Sequence, residues 1–173
     1  MISLRKSRSQ DGFTLVELLI VVIILAILAA IIVPQFSAAT DDATQSAYDT
    51  NIANIRAAID LYRQQHNAYP GAATSTGACS PPGSTNQAGA ANSEAAFLAQ
   101  LRFYTNSAGV ACDGTDATFR YGPYLKDDLP VNPLGDPAVN TVTIVSAGLL
   151  GMASGGSEGW RFDTVTGEFI GDE

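Results

Sequence analysis

Residues 13–33 read FTLVELLIVVIILAILAAIIV, a run of 21 residues in which residues 18–33 carry no polar side chain. A helix rises about 1.5 Å per residue, so this run matches the ~30 Å hydrocarbon core of a bilayer. The cationic side chains of Arg5, Lys6 and Arg8 precede the run. Positive charge favours the cytoplasmic side of a membrane, so this order predicts a spanning helix with the rest of the chain outside.

Hydropathy alone leaves three interpretations of this segment: an ordinary signal anchor, a cleaved secretory signal peptide, and a helix that also assembles with other chains. The run is longer than the ~7–15 apolar residues of a secretory signal peptide, and Asp11 and Glu17 lie at its entrance. A carboxylate inside a spanning helix costs about 2.5–3.5 kcal/mol on the lenient insertion scale. Glu17 therefore needs protonation, a position at the headgroups, or a cationic partner on a second chain.

The segment around Glu17 reads GFTLVELLI from Gly12 to Ile20. It resembles the class III signal of type IV pilins and type II secretion pseudopilins. The resemblance implies that a prepilin peptidase cuts after Gly12 and methylates the new α-amino group on Phe13. It also implies that Glu17 serves in assembly, paired with that amino group of an adjacent subunit. A buried pair of this kind sets the register of packed helices even when its net contribution to stability is small.

The helical pattern continues beyond the apolar run. Pro34 removes a helical hydrogen bond and is expected to kink or loosen the helix locally. Large side chains then recur at steps of three and four residues, which predicts an amphipathic helix packed on a sheet of the same chain. These side chains are Tyr48, Ile52, Ile55, Ile59 and Tyr62. Arg56 and Asp60 have the spacing of an intrahelical ion pair, and the helix is expected to end near His66 and Asn67.

The middle of the chain is poor in large apolar residues. Residues 71–91 have a loop composition, and a short helix after them is predicted to start at Asn92 or Ser93. Its apolar side is expected to carry Phe97, Leu98, Leu101 and Tyr104. Cys79 and Cys112 are the two cysteines, 33 residues apart. An even pair beyond a membrane segment predicts one disulfide that adds about 3–4 kcal/mol, with two buried free thiols as the alternative.

The last third of the chain predicts a small antiparallel sheet. Thr141–Val145 is expected to form a strand, and 160–162 with 168–170 are expected to form a hairpin around a turn that ends at Gly167. The segments LPVNP at 129–133 and GWRF at 159–162 resemble the major pseudopilin of type II secretion. The predicted fold is therefore α+β and pilin-like, with a long N-terminal helix packed on a small C-terminal antiparallel sheet.

These patterns divide the chain into five segments with different predicted roles. They are a leader peptide (1–12), a hydrophobic transmembrane and polymerisation helix (13–33), an amphipathic continuation of the helix (34–67), an insertion of loop and short helix (68–118) and a sheet region (119–173). The resemblance to pilins covers the first helix nearly completely and the sheet region loosely.

The resemblance also raises the question of a metal, because major pseudopilins commonly hold a calcium ion in a loop near the sheet. The side chains with suitable oxygen atoms are Asp127, Asp128, Asn132, Asp136 and Asn140. The acidic calcium segment of the family is replaced here by AGLLGMASGGS at 147–157, which has no carboxylate. The expectation is therefore a chain without a cofactor, with calcium at these residues as the alternative.

Charge and motif content exclude two other function classes. The net charge of −8 is unsuited to a phosphate backbone, so nucleic acid is not an expected partner. The sequence has no phosphate-binding glycine loop, zinc-type Cys/His spacing or haem attachment motif. The single histidine, His66, is interpreted as structural. The chain is therefore not expected to be an enzyme.

The resemblance implies a precursor in the bacterial inner membrane, with its C-terminal domain in the periplasm. It is expected to polymerise with itself after processing by prepilin peptidase, helped by an inner-membrane assembly platform, an ATPase and minor pseudopilins. The favoured function is a major pseudopilin of type II secretion. The alternatives are a type IV pilus pilin for adhesion, motility or DNA uptake and, from another class, a single-pass membrane-anchored periplasmic binding domain.

Overall fold

The computed structural model of the protein describes residues 13–135, 137–148 and 150–172, except for the side chains of Pro34 and Ser37. Two helices and five short strands lie in those residues. The helices are α1 (Leu15–His66) and α2 (Glu94–Arg102), and the strands are β1 (Tyr104–Thr105), β2 (Ala111–Cys112), β3 (Val142–Val145), β4 (Trp160–Asp163) and β5 (Phe169–Gly171). This content confirms an α+β fold with a long N-terminal helix and small C-terminal sheets.

Helix α1 runs through two compact units, the first ending at Asp42 and the second beginning at Ala43. Its 52 residues include Pro34, and the backbone is helical on both sides of that residue. The kink at Pro34 stays a prediction. The end of the helix at His66 is where the loss of periodicity predicted it.

The core of the second unit forms where the last turns of α1 contact the sheet. The apolar stripe predicted from the periodicity is buried except for Tyr48, which is half-buried, and Ile55, Ile59 and Tyr62 are almost fully shielded from solvent. Burial of each such side chain contributes about 1.5–3 kcal/mol. Opposite the stripe lie large side chains of α2 and the strands, namely Phe97, Leu101, Trp160, Phe162 and Phe169. The helix and the strands therefore share one hydrophobic core.

Polar contacts fix the position of α1 on β5. The guanidinium of Arg56 donates two hydrogen bonds to the carbonyl of Phe169, at 2.7 and 3.1 Å. The hydroxyl of Tyr48 accepts one from the backbone N–H of Gly171 at 3.1 Å. The predicted pairing of Arg56 with Asp60 is wrong, because Arg56 binds this backbone carbonyl instead.

The larger sheet has the order β3-β4-β5 and is mixed. Strands β4 and β5 are antiparallel, as the hairpin pattern predicted. Strands β3 and β4 are parallel, so the expectation of a purely antiparallel sheet is wrong for this pair. A long loop between β3 and β4 carries the chain back to the end of the sheet at which β3 begins. Two neighbouring parallel strands require a connection of this kind.

The insertion is held together by α2 and by buried polar groups. Ser93 caps α2 by accepting a hydrogen bond from the N–H of Ala96, as the sequence predicted. The helix ends at Arg102, so Tyr104 is not part of its apolar side and lies in β1 instead. The structure joins Cys79 to Cys112 in β2 by a disulfide. The loop that contains Cys79 and the short strand β2 are thus linked covalently.

Candidate processing and assembly site

Thr14 caps the first turn of α1. Its hydroxyl oxygen accepts a hydrogen bond from the backbone N–H of Glu17 at 3.2 Å, and its carbonyl accepts one from the N–H of Leu18 at 3.2 Å. Thr14 and Glu17 have the Ser/Thr-x-x-Glu spacing of a capping box, and a negative charge at this position is favoured by the helix dipole. The motif therefore has a local structural role, since it starts the helix and fixes Glu17 in its first turn.

The carboxylate of Glu17 is exposed to solvent. The ion pairs in the described part of the chain join Arg102 to Asp128 and Arg161 to Asp172, so none involves Glu17 there. The predicted cleavage residue Gly12 lies outside the described residues, whereas Phe13 is described and exposed. An unpaired carboxylate in the first turn is accessible to a cation supplied by another chain.

The apolar surface that follows Glu17 is exposed all round the helix. Large side chains from Leu18 to Val33 are each between 44% and 64% exposed. Within the described residues, α1 is the helix long and apolar enough to cross a membrane, by length and composition. An apolar surface of this extent requires lipid or protein to cover it.

The sequence on both sides of the predicted cleavage position is similar to a known family. Residues 7–33 match the family described as the prokaryotic N-terminal methylation motif. The matched range includes the predicted cleavage position and the capped first turn with Glu17, so the predicted processing residues and the predicted assembly residue lie in one matched segment.

Curated relatives match the same N-terminal part. The type II secretion system core protein G of Pseudomonas aeruginosa is 46% identical over 63 residues, which are 36% of this chain and 44% of the relative. The core protein G of Vibrio cholerae is 39% identical over 67 residues, 39% of this chain and 46% of the relative. The type IV narrow pilus major component PilA5 of Thermus thermophilus is 44% identical over 59 residues, 34% of this chain and 51% of the relative.

The similarity is therefore to pseudopilin and pilin subunits, and it is local. The matched part spans about half the length of the curated relatives. No solved structure matches the chain. The methylation motif resembles those relatives closely, whereas the sheet and the insertion have to be interpreted from their own geometry.

Asp128 and Asn132, two of the proposed calcium ligands, serve other contacts. Asp128 is paired with Arg102, and the buried amide of Asn132 donates to the carbonyl of Gly159 at 2.9 Å. Asp136 lies outside the described residues. In the part of the chain that the structure describes, no group of three or more His, Cys, Asp or Glu side chains is placed to hold a metal ion. Calcium at these residues stays a prediction.

His66 lies in an aromatic cluster at the end of α1. Its Nε2 atom is 2.9 Å from the hydroxyl of Thr105 and 3.0 Å from that of Tyr124, and its ring stacks on Tyr62 at 4.1 Å. Burial lowers the pKa of His66. These contacts tie the helix to β1 and to the loop between β2 and β3, which supports a structural role for the histidine.

Sequence reasoning missed the second role of the N-terminal motif. Thr14 was considered only as part of the processing signal, although its spacing from Glu17 is that of a capping box. The same four residues from Thr14 to Glu17 therefore start the helix and present the carboxylate. That signal was visible in the sequence alone.

Proposed function

We propose that the chain is a structural subunit of a pilin-like filament, closest in role to a major pseudopilin of a type II protein secretion system. The observation that carries this proposal is the match of residues 7–33 to the methylation-motif family, together with the exposed apolar helical surface that this segment contains. Relatives named as core protein G of that system match the same segment and favour this role.

In this proposal residues 13–33 hold the precursor in the bacterial inner membrane, with the second compact unit in the periplasm. A prepilin peptidase cuts after Gly12 and methylates the amino group of Phe13. Glu17 then pairs with the cationic amino group of a neighbouring subunit. This pairing reduces the cost of about 2.5–3.5 kcal/mol that an isolated carboxylate has in a spanning helix.

Assembly exchanges lipid contacts for contacts between subunits. An assembly platform driven by an ATPase draws subunits out of the membrane, and minor pseudopilins join the filament. The side chains from Leu18 to Val33 pack against the helices of neighbouring subunits. Each CH₂ group kept from water there contributes about 0.8 kcal/mol. The chain is a substrate of processing chemistry and acts as a building block rather than as an enzyme.

A second candidate is the major subunit of a surface type IV pilus, favoured by the 44% identity to the pilus component of Thermus thermophilus. The two candidates differ in whether the filament reaches the cell surface and in which process stops when the subunit is deleted. Deletion of a pseudopilin stops export of secreted proteins, whereas deletion of a pilin removes surface filaments and leaves export intact.

The first test is the N-terminal residue and mass of the protein from cells that make it. Phe13 carrying one methyl group on its amino nitrogen is the expected result. An intact Met1 would instead support the membrane-anchored periplasmic binding domain. A cut near Ala30 or Ala39 would support a secreted protein, and either result would overturn the filament proposal.

A further inference from the structure

The loop at residues 147–157 lies between β3 and β4. It contains no carboxylate, and its residues are mostly glycine, alanine and serine. Gly148, Gly151 and Gly156 have positive φ angles between 70° and 77°. Ordering a loop of this composition has a large entropic cost, so it needs specific polar contacts.

Asp172, which directly follows β5, provides most of these contacts. Its side chain is buried and accepts hydrogen bonds from the backbone N–H groups of Gly155, Gly156 (3.2 Å) and Ser157 (3.4 Å). It also accepts from the hydroxyls of Ser154 (3.1 Å) and Ser157. Successive N–H groups that converge in this way form an anion-binding concavity. Here the anion is a carboxylate of the protein itself.

Charge at this position excludes a cation. Nη1 of Arg161 lies 3.8 Å from the carboxylate of Asp172. The loop passes so close to this guanidinium that a Cβ atom on Gly155 would lie 1.8 Å from Nη1. A metal ion bound to Asp172 would therefore face the positive ends of N–H dipoles and a like-charged guanidinium.

Two more carboxylates bind the other end of the loop in the same manner. Asp163, in β4, accepts a hydrogen bond from the N–H of Gly148 at 2.9 Å. Glu168, just before β5, accepts one from the N–H of Met152 at 2.8 Å. In a calcium-binding loop the loop supplies oxygen ligands to a cation. In this chain the sheet supplies the oxygen atoms and the loop supplies the donors.

We propose that this loop is ordered without any bound cation, because Asp163, Glu168 and Asp172 bind its N–H and hydroxyl groups directly. The subunit therefore keeps its folded sheet region where calcium is scarce or chelated. The property belongs to the single chain and does not depend on the proposed filament.

The test is hydrogen–deuterium exchange of the full-length chain in detergent, followed by mass spectrometry of peptides that cover residues 147–157. We expect the same exchange in calcium chloride and in excess EDTA. Asp172→Asn should speed exchange in the loop by about tenfold, because it removes charged hydrogen bonds. Ser157→Ala, which removes one hydroxyl donor, should give a smaller increase. Asp127→Asn, at an exposed calcium candidate, is the matched control and should change nothing.

Three outcomes would overturn the proposal. The first is slower exchange of the loop on addition of calcium. The second is a saturable heat of calcium binding that Asp172→Asn abolishes. The third is unchanged loop exchange in both Asp172→Asn and Ser157→Ala. Exchange of peptides from α2 reports whether Asp172→Asn unfolds the whole domain. If it does, the Ser157→Ala variant and the comparison of calcium with EDTA test the proposal instead.

Discussion

Glu17 places a carboxylate at the edge of an apolar surface, in the first turn of a capped helix. The proposed partner, the amino group of Phe13 on a neighbour, lies at the extreme end of the chain after cleavage. Both charged groups have a fixed position on their helices. A pair between them therefore allows a single register of one helix along the other. In the proposed filament, charge pairing in a low-dielectric setting would therefore specify the stacking of subunits, whereas apolar packing would supply the cohesion.

Glu17→Gln separates these two roles. Glutamine keeps the capping-box spacing and the helix start, so the peptidase should still cut the chain and methylate Phe13. Without the charge, we expect the yield of filaments to fall by about tenfold or more, since a charged hydrogen-bonded contact is lost. N-terminal mass measures processing, and the amount of sheared filament measures assembly.

Asp41→Asn removes another exposed carboxylate of α1 and is the control for Glu17→Gln. It should leave both processing and filament yield unchanged. A normal filament yield from Glu17→Gln would show that the carboxylate has no part in assembly.

His66 makes the stability of the second unit depend on pH. Burial lowers the pKa of His66, so the folded chain favours the neutral ring, whereas in the unfolded chain histidine titrates near pH ~6.5. In the window below that value the unfolded chain binds more protons, so the free energy of unfolding decreases as the pH falls. Thermal melts followed by circular dichroism should give a lower Tm at about pH 5 than at about pH 7.

His66→Gln should flatten this pH dependence, because glutamine keeps a hydrogen-bonding group near Thr105 and Tyr124 but does not titrate. Burial raises the pKa of Tyr62 and of Tyr124, which both contact the ring, so these two side chains stay neutral in this range. If the dependence of Tm on pH is unchanged in His66→Gln, titratable groups other than His66 cause it.

At the scale of secondary-structure elements, the spacing of apolar residues along the chain allowed the core face of α1 to be predicted. Steps of three and four residues placed Ile55, Ile59 and Tyr62 in the core, and the Ser93 cap placed the start of α2. The parallel pairing of β3 with β4 was not predictable, since alternation of side chains is the same in both directions. The direction depends on the path of the loop between them, which is fixed by contacts with residues far along the chain, such as Asp172.

The insertion was the least predictable element because polar groups organise it. The buried side chain of Gln100 accepts a hydrogen bond from the N–H of Gly71 at 2.7 Å and donates to the carbonyls of Ala73 and Gly109, at 3.1 and 2.9 Å. A glutamine in a helix normally indicates an exposed face. No pattern in the sequence distinguishes this buried amide from a solvated one.

The turn between β4 and β5 depends on close packing at Gly167. This glycine has a φ of +79°, and a Cβ atom there would lie 2.2 Å from the ring of Tyr69. Gly167→Ala should lower the free energy of unfolding by backbone strain of about 1–2 kcal/mol and by an overpacking cost of about 1–3 kcal/mol. Denaturant titration of the full-length chain in detergent measures the change.

Gly83→Ala is the matched control for this turn. Gly83 has a similar φ of +76°, but no atom lies within 4 Å of the position of its Cβ. It should show the strain alone, so the difference between the two variants isolates the contact with Tyr69. Equal losses of stability in Gly167→Ala and Gly83→Ala would show that the contact with Tyr69 adds no packing cost at the turn.

At the scale of the whole molecule, charge and apolar surface act against each other. Residues 13–173 carry six basic and sixteen acidic side chains, so neighbouring subunits repel one another beyond the apolar helix. Cohesion must then come from the surface between Leu18 and Val33. A filament of this chain therefore requires the apolar helices to be adjacent, whereas a membrane-anchored binding domain requires only lipid around them.

Photocross-linking at Leu25 distinguishes these two arrangements. A benzoylphenylalanine in place of Leu25, which is exposed in the apolar run, reacts with whatever covers it. In cells that assemble filaments we expect covalent dimers and higher oligomers of the chain, because neighbouring helices replace lipid there. The same analogue at Asp127, on an exposed loop, should give far fewer.

The decisive comparison combines this probe with Glu17→Gln. That variant should insert in the membrane but not assemble, so oligomers linked through Leu25 should disappear while the amount of membrane-bound chain stays the same. If the oligomers persist, the helices associate without the carboxylate, and register is set elsewhere. If the parent chain gives none, its apolar surface contacts lipid alone, and the chain is an anchored domain rather than a filament subunit.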